Sequence, residues 1–280
     1  MTGIINVAEY RENLIALWQE AFGDEKEYIE FFLDECPDKI CVGATKNGKL
    51  VSVLFLLNGR VCNFSCKYIY AACTLKEYRG RGIMGELISF AKDYCRDSGI
   101  DLIFLVPGEE SLYSYYERFG FVAKMMCSEI CFGAGGGSLL SGKCTDITEI
   151  SRRRIELLSR LDSFTFDAGT TEYVVREFIR GGGEIYSADG ENGFLAFLHK
   201  KGKNLFFKEI LAEKDSFFTD NSNLFEKLNA ENVYIHTPLV YNSTDIGVKA
   251  TKCGMLFPVS VKAEAFINSK EFFYAGMYLD

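Results

Sequence analysis

The chain has little of what several function classes require. It carries 2 histidines, and none of its 10 cysteines forms a Cys-x-x-Cys pair, so a structural zinc site is not expected. No run of about 18 uninterrupted apolar residues occurs, which argues against a transmembrane helix. The opening Met1-Thr2-Gly3-Ile4-Ile5-Asn6-Val7-Ala8-Glu9 lacks the basic-then-apolar pattern of a signal peptide. An excess of positive charge is also missing: 31 Lys+Arg stand against 39 Asp+Glu, a net −8. General nucleic-acid binding rests on basic surface and is therefore disfavoured. The acidic balance suits a cationic or amine substrate, although solubility accounts for it equally well.

What is present describes a globular protein. Hydrophobic residues make up 48% and charged residues 25% of 280 residues, which excludes a disordered or collagen-like chain. That length is comfortable for one large or two medium domains. Against 4 prolines and 1 tryptophan stand 24 phenylalanines and 15 tyrosines, ample apolar surface for sizeable cores. Several cysteines sit inside apolar runs, as in Tyr70-Ala71-Ala72-Cys73. With no secretory signal, reduced thiols used as small core residues are expected, and the chain reads as cytoplasmic.

The first 130 or so residues alternate helical and strand patterns. Leu14, Leu17, Trp18, Ala21 and Phe22 share a helical stripe, and Asp24 is placed to cap a second helix containing Tyr28, Ile29, Phe32 and Leu33. Strands are expected at Ile40 to Ala44, Leu50 to Leu57 and Tyr68 to Leu75, with turns at Lys46-Asn47-Gly48 and Asn58-Gly59. A helix over Gly82 to Asp97 is expected to bury Ile83, Leu87, Phe90, Ala91 and Tyr94. A buried strand at Leu102 to Val106, a short helix from Glu110 to Arg118 and strand character from Phe121 to Phe132 follow. Gly133-Ala134-Gly135-Gly136-Gly137-Ser138 marks the expected boundary, giving domains 1–138 and 139–280. The second half repeats the order: helices at Ile147 to Leu161 and Thr171 to Ile179, then strands at Ile185 to Ala188, Phe194 to Leu198 and Leu205 to Leu211. A helix around Leu224 to Leu228 and a strand at Val233 to Thr237 complete a pattern that hints at duplication.

Chemistry concentrates in Ala71 to Gly85, where a strand, a turn with three glycines and a helix N-terminus succeed one another. Such a turn leaves backbone N–H groups pointing outward at the positive end of a helix dipole, an anion site. Glycine lets a phosphate approach the main chain because no Cβ intervenes. Arg79 and Arg81 add positive charge, and a bound pyrophosphate is the economical reading. No Lys-Ser or Lys-Thr follows, so the turn is not a P-loop. Gly80-x-Gly82-x-x-Gly85 does meet the glycine count of a dinucleotide fingerprint, but the preceding meander is the wrong context for it.

Arg79-Gly80-Arg81-Gly82-Ile83-Met84 resembles the Arg/Gln-x-x-Gly-x-Gly/Ala signature of the GNAT acyltransferase superfamily, with Met84 in place of the final small residue. A second landmark, Tyr116 shortly before Gly120-Phe121, lies at the right separation, so the resemblance covers residues from about 4 to 132. The Met84 departure is similar to the Eis-like branch, which joins two GNAT units. Its third, sterol-carrier-like domain does not fit within this length. The resemblance implies an α/β fold with mixed sheet: a GNAT acyltransferase domain followed by a second, degenerate GNAT-like domain that lacks the coenzyme motif and shapes the acceptor pocket.

In that resemblance acetyl-CoA is the cosubstrate and no metal is used. The backbone of Ala72, Cys73 and Thr74 would bind the pantetheine arm, and one N–H there could polarise the thioester carbonyl. Arg79, Gly80, Arg81, Gly82, Ile83, Met84 and Gly85 would hold the pyrophosphate, and Ser111 and Leu112 would touch the coenzyme tail. Tyr116 matches the tyrosine that protonates the departing thiolate, although with Leu112 and Phe119 it also fits the apolar face of an amphipathic helix. No general base is evident: Glu109 and Glu110 read as solvated loop acids, Cys73 lacks a basic neighbour, and Asp280 enters only by analogy with the Eis-like chain end. His199 and His236 read as packing or surface residues. The implied activity is acetyl transfer to a primary amine of a small molecule or peptide by direct attack. The alternative is a non-catalytic acyl-CoA-binding sensor, and a transfer-RNA-dependent transferase would need a basic face. Neither nucleic acid nor membrane is an expected partner, and oligomeric state and acceptor identity stay open.

Overall fold

A computed structural model describes residues 1–133, 142–217, 230–241 and 248–279. The glycine-rich stretch beyond Gly133, the helix expected around Leu224 to Leu228 and Asp280 lie outside the described residues. The chain divides into two units, each discontinuous: residues 1–123 with 254–271, and residues 124–253 with 272–280. This differs from the expected division at residue 138. The reason is in the strand pairing, because residues 255–258 supply an antiparallel neighbour to a strand at Leu102–Leu105 in the first unit.

In that first unit β1 (Thr2–Ile4) precedes helices α1 (Arg11–Phe22) and α2 (Lys26–Glu35). The long strands β2 (Ile40–Lys46), β3 (Lys49–Val61) and β4 (Phe64–Thr74) then form an antiparallel meander. Helix α3 (Ile83–Asp97) crosses over to β5 (Leu102–Leu105), which lies parallel to β4, and α4 (Ser111–Glu117) follows. A parallel neighbour requires such a crossover, because a short hairpin can only reverse the chain.

Of the two expected turns, one forms and the other lies within a strand. Asn47 and Gly48 both take positive φ (52° and 78°) between paired Lys46 and Lys49, the two-residue hairpin expected of Asn-Gly. Asn58-Gly59, by contrast, lies inside β3 opposite Lys67 and Cys66, and the chain reverses after Val61, with Cys62 at φ 52°. Asn58 is held in the ladder by its side chain, whose oxygen accepts from the buried Lys67 ammonium. Asp24 likewise does not cap α2, whose N-cap Glu25 makes no side-chain bond. Its carboxylate accepts the indole N–H of Trp18 at 2.7 Å, a buried donor that would otherwise be unsatisfied. Trp18 sits 5.2–5.8 Å from the rings of Phe32, Tyr70 and Phe55, so α1 and α2 close one face of the meander. On α3 the fully buried stripe is Ile83, Leu87, Ile88, Ala91 and Cys95, with Phe90 and Tyr94 only half-buried.

The second unit takes up β6 (Val122–Gly133) from Lys124 onward, β7 (Lys143–Cys144), α5 (Ile147–Ser159), β8 (Ser163–Phe166) and α6 (Ala168–Arg180). Asp146 and Asp167 cap the two helices by accepting from Glu149 N and Thr170 N. The strands β9 (Glu184–Ala188), β10 (Phe194–Lys201) and β11 (Asn204–Ala212) form a second antiparallel meander, and β12 (Asn232–Thr237) is parallel to β11. Two helices, a three-stranded meander and a parallel fourth strand therefore occur in both units in the same order. The chain ends through β13 (Val248–Pro258), α7 (Val261–Ser269) and β14 (Phe273–Ala275).

At the edge of the second meander the Glu184 carboxylate binds Lys200 Nζ at 2.6 Å, Tyr186 OH at 2.6 Å and Lys143 Nζ at 3.1 Å. The Lys200 and Tyr186 bonds, with Lys143, hold its pKa down from 4.5 to about 2. A carboxylate depressed on folding stabilises above its unfolded value and loses that contribution as pH falls through the folded one. Glu184→Gln should therefore lower the melting temperature at pH 7, with the gap to the parent narrowing as pH drops from 4.5 towards 2. A gap that stays constant over that range in thermal melts would refute the assignment.

Candidate active site

The cleft in the first unit starts from a defect in β4. Ser52 pairs with Thr74 and Val53 with Cys73, but Phe55 pairs with Tyr70, so Ala71 and Ala72 together oppose Leu54. This is a β-bulge, and Ala71 takes φ 48°, a conformation rare for a residue with a side chain. The pairing of β4 with β5 ends at Ile69 and Leu105, while β4 itself continues to Thr74. Beyond Ile69 the β5-facing edge of β4 has no strand partner among the described residues, and Pro107-Gly108 leads β5 away. Ala72, Cys73 and Thr74 line a cleft there.

At the end of β4 a short 3₁₀ turn (Lys76–Tyr78) leads into the glycine-rich bend. Gly80 and Gly82 have φ 73° and 78°, the left-handed region that favours glycine, and a Cβ at either position would meet open space. Their conformation, and not crowding, is what demands glycine. Gly85 differs: a Cβ there would come within 3.2 Å of the Phe119 ring, so the first turn of α3 packs directly against that aromatic. Gly82 caps α3 without a side-chain bond, and none of the N–H groups of residues 80–85 donates to another described residue. These donors sit at the positive end of a 15-residue helix. They can hold an anion of diphosphate type.

The two arginines of the bend act mainly on the loop itself. Arg79 Nε donates to Thr74 O at 2.9 Å and pins the bend to the end of β4. Arg81 donates to Glu77 O at 2.8 Å and lies over the Tyr78 ring. Arg79 lines the cleft; Arg81 does not.

The cleft encloses about 770 Å³. Ala72, Cys73 and Thr74 form one wall, the bend from Gly80 to Gly85 the floor, and Leu112, Tyr115 and Tyr116 the far side. Ser111, assigned to the coenzyme tail from sequence, is exposed and donates to Glu109 without lining the space. Glu109 does line it. Tyr116 is buried on α4, with Tyr115 5.2 Å and Phe121 5.9 Å away between ring centres. Burial, with a smaller contribution from Tyr115, pushes its pKa up to about 12. Its hydroxyl has no hydrogen-bond partner among the described residues. Burial also raises the Cys73 thiol far above its usual range, which makes it a poor nucleophile.

Phe22, Tyr78 and Phe119 also line the space and were not assigned to it from sequence. Phe22 ends the apolar stripe of α1 and so reads as core, yet it is 50% exposed. Among the described residues no group of three His, Cys, Asp or Glu side chains gathers as a metal site would require.

A family model described as an acetyltransferase (GNAT) domain matches residues 7–123. No curated protein matches the chain in sequence. Solved structures share the fold at low identity. An Enterococcus faecalis V583 protein described as a probable N-acyltransferase is 12% identical with a TM-score of 0.71, over 94% of this chain and 73% of that one. Eis1 from Mycobacterium abscessus is 11% identical with a TM-score of 0.69, over 94% and 75%. A tandem GNAT protein from the clavulanic acid biosynthesis pathway is 11% identical with a TM-score of 0.54, over 93% and 98%. The mixed α/β architecture with two GNAT-like units is thus shared with known proteins.

Proposed function

We propose that this chain, whose residues 7–123 match the acetyltransferase (GNAT) domain model, transfers an acetyl group from acetyl-CoA to a primary amine by direct attack. The observation that carries this reading is the convergence of unbonded main-chain N–H groups at Gly80 to Gly85 in the cleft beside the β4 bulge. Acetyl-CoA would supply an activated acyl group and a thiolate leaving group. The bend holds its diphosphate, and the free edge of Ala72 to Thr74 holds the amide-bearing arm as an added strand would be held.

Tyr116 has a narrower role than full proton donation. A phenol with a pKa of about 12 is more than three units above a thiol near 8.5, so complete transfer to the thiolate is uphill by about 5 kcal/mol. Tyr116 instead keeps its proton at neutral pH and donates a hydrogen bond to the sulfur as the C–S bond breaks. Such a donor is effective because the hydroxyl is held in place before the bond breaks.

Coenzyme A should raise the melting temperature of the protein. Gly82→Glu, which puts a carboxylate where the N–H groups converge, should abolish that shift while leaving the far-UV circular dichroism unchanged. With acetyl-CoA and a panel of amines, free thiol should appear. A thermal shift with no thiol across the panel would identify a binding module, and no shift at all would overturn the site.

A further inference from the structure

We propose that Arg118 reads the 3′-phosphate of coenzyme A, so that the cleft of the first unit tells the coenzyme from its 3′-dephospho form. The inference rests on the coenzyme reading of that cleft and gives it a specificity determinant outside the glycine bend.

The nucleotide end of coenzyme A carries two anionic groups, a diphosphate and a phosphomonoester on the ribose. The main-chain N–H groups of residues 80–85 suit the first. The second needs a cation. Of the described residues lining the cleft, three are charged: Arg79, Glu109 and Arg118. Arg79 turns its Nε back onto Thr74 O at 2.9 Å and serves the bend. Glu109 would repel a phosphate, and it stands before the start of α4, whereas Arg118 directly follows its last residue. The helix has seven residues, a length of about 10 Å, so the acid and the base mark opposite ends of it.

Packing decides which end of α4 faces the bend. The Phe119 ring lies against the first turn of α3, where a Cβ on Gly85 would come within 3.2 Å of it. Tyr115 stands edge-on to Phe119 at 5.1 Å between ring centres. The Arg118 guanidinium carbon lies over the Tyr115 ring, 5.0 Å from its centre. Gly85, Phe119, Tyr115 and Arg118 thus form an unbroken run from the phosphate-binding turn outwards. With the amide-bearing arm laid along Ala72 to Thr74, the ribose leaves the diphosphate away from β4, towards this run.

The arginine is also held in a way that keeps its donors available. A guanidinium resting on an aromatic face is positioned by that ring without spending its N–H groups, which stay in its own plane for a forked contact with phosphate. Such a contact is charge-assisted and geometrically matched. Arg118 forms no ion pair with a described residue, although Glu117 directly precedes it. Its side chain is exposed, so water and salt compete for it. A gain of about 10-fold in affinity is therefore expected of the 3′-phosphate.

The test is a calorimetric titration of the 280-residue chain with coenzyme A and with 3′-dephospho-coenzyme A, at one fixed low ionic strength. The parent should bind coenzyme A about 10-fold more tightly. In Arg118→Gln that preference should vanish, with coenzyme A weakened to the level of the dephospho form. Affinity for the dephospho form should stay within about twofold of the parent, which shows that the cleft is intact. Arg79→Gln, by contrast, should weaken both ligands by a similar factor, because it loosens the bend that holds their common diphosphate. Equal affinity of the parent for the two ligands, equal weakening of both in Arg118→Gln, or loss of the preference in Arg79→Gln alone would overturn the proposal and leave the coenzyme site standing. Binding of neither ligand would remove the coenzyme reading itself, and this inference with it.

Discussion

Tyr116→Phe should lower kcat by about 100-fold and leave the coenzyme A thermal shift nearly intact. The ring remains, and with it the packing against Tyr115 and Phe121, so only the hydroxyl is lost. Because burial places its ionisation at about 12, the parent enzyme should show no alkaline loss of activity attributable to Tyr116 below pH 10. Two results would remove the hydrogen-bonding role: a kcat within about threefold of the parent, or a fall in kcat matched by an equal loss of coenzyme affinity. An alkaline limb near pH 9 that vanishes in Tyr116→Phe would instead mean that the phenol surrenders its proton.

The largest stability effect is expected at the buried ion pair of the second unit. Arg154 on α5 and Glu209 on β11 are almost wholly buried, with Nε to Oε2 at 2.6 Å and Nη2 to Oε1 at 3.2 Å. The pair also fixes the end of the chain: Arg154 donates to Met277 O, and Glu209 accepts from Met277 N and Tyr274 OH. Gly276 is required there, since a Cβ would collide with Glu209 Oε1. Deleting one partner strands a charge in a dry interior, at a cost of about 3–5 kcal/mol. Whole-domain stability is typically about 5–15 kcal/mol, so Glu209→Ala should remove a large part of what holds this unit. Replacing both partners by Met and Leu should recover part of the loss, the remainder reflecting the Met277 N–H left without an acceptor. Urea unfolding followed by circular dichroism measures both. A single variant within 1 kcal/mol of the parent, or a double variant as unstable as the single, would contradict this account.

Local patterns were readable from sequence, and long-range partners were not. The helical stripes, the Asn47-Gly48 hairpin and the glycine bend are each decided by neighbours within a few residues, and the fold class follows from their order. Asn58-Gly59 has the same local signature as Asn47-Gly48, yet it lies mid-strand because Lys67, on the partner strand, engages Asn58. Asp24 looks like a helix cap until the indole of Trp18 claims it. In the cleft, the residues of the bend were visible as a motif, whereas Phe22 and Phe119 reach it from other elements and resemble ordinary core residues. His199 and His236 illustrate the same limit. Nothing in their separate contexts shows that a parallel strand pairing brings them to line one small cavity of the second unit.

The strand formed by residues 255–258 carries a consequence for handling the protein. The first unit recruits a strand of its sheet from late in the polypeptide, and the second recruits residues 272–280 from beyond that. Neither half is a contiguous cassette, so no single scission liberates either one whole. A ribosome making this chain must finish nearly all of it before the first unit has its full complement of strands.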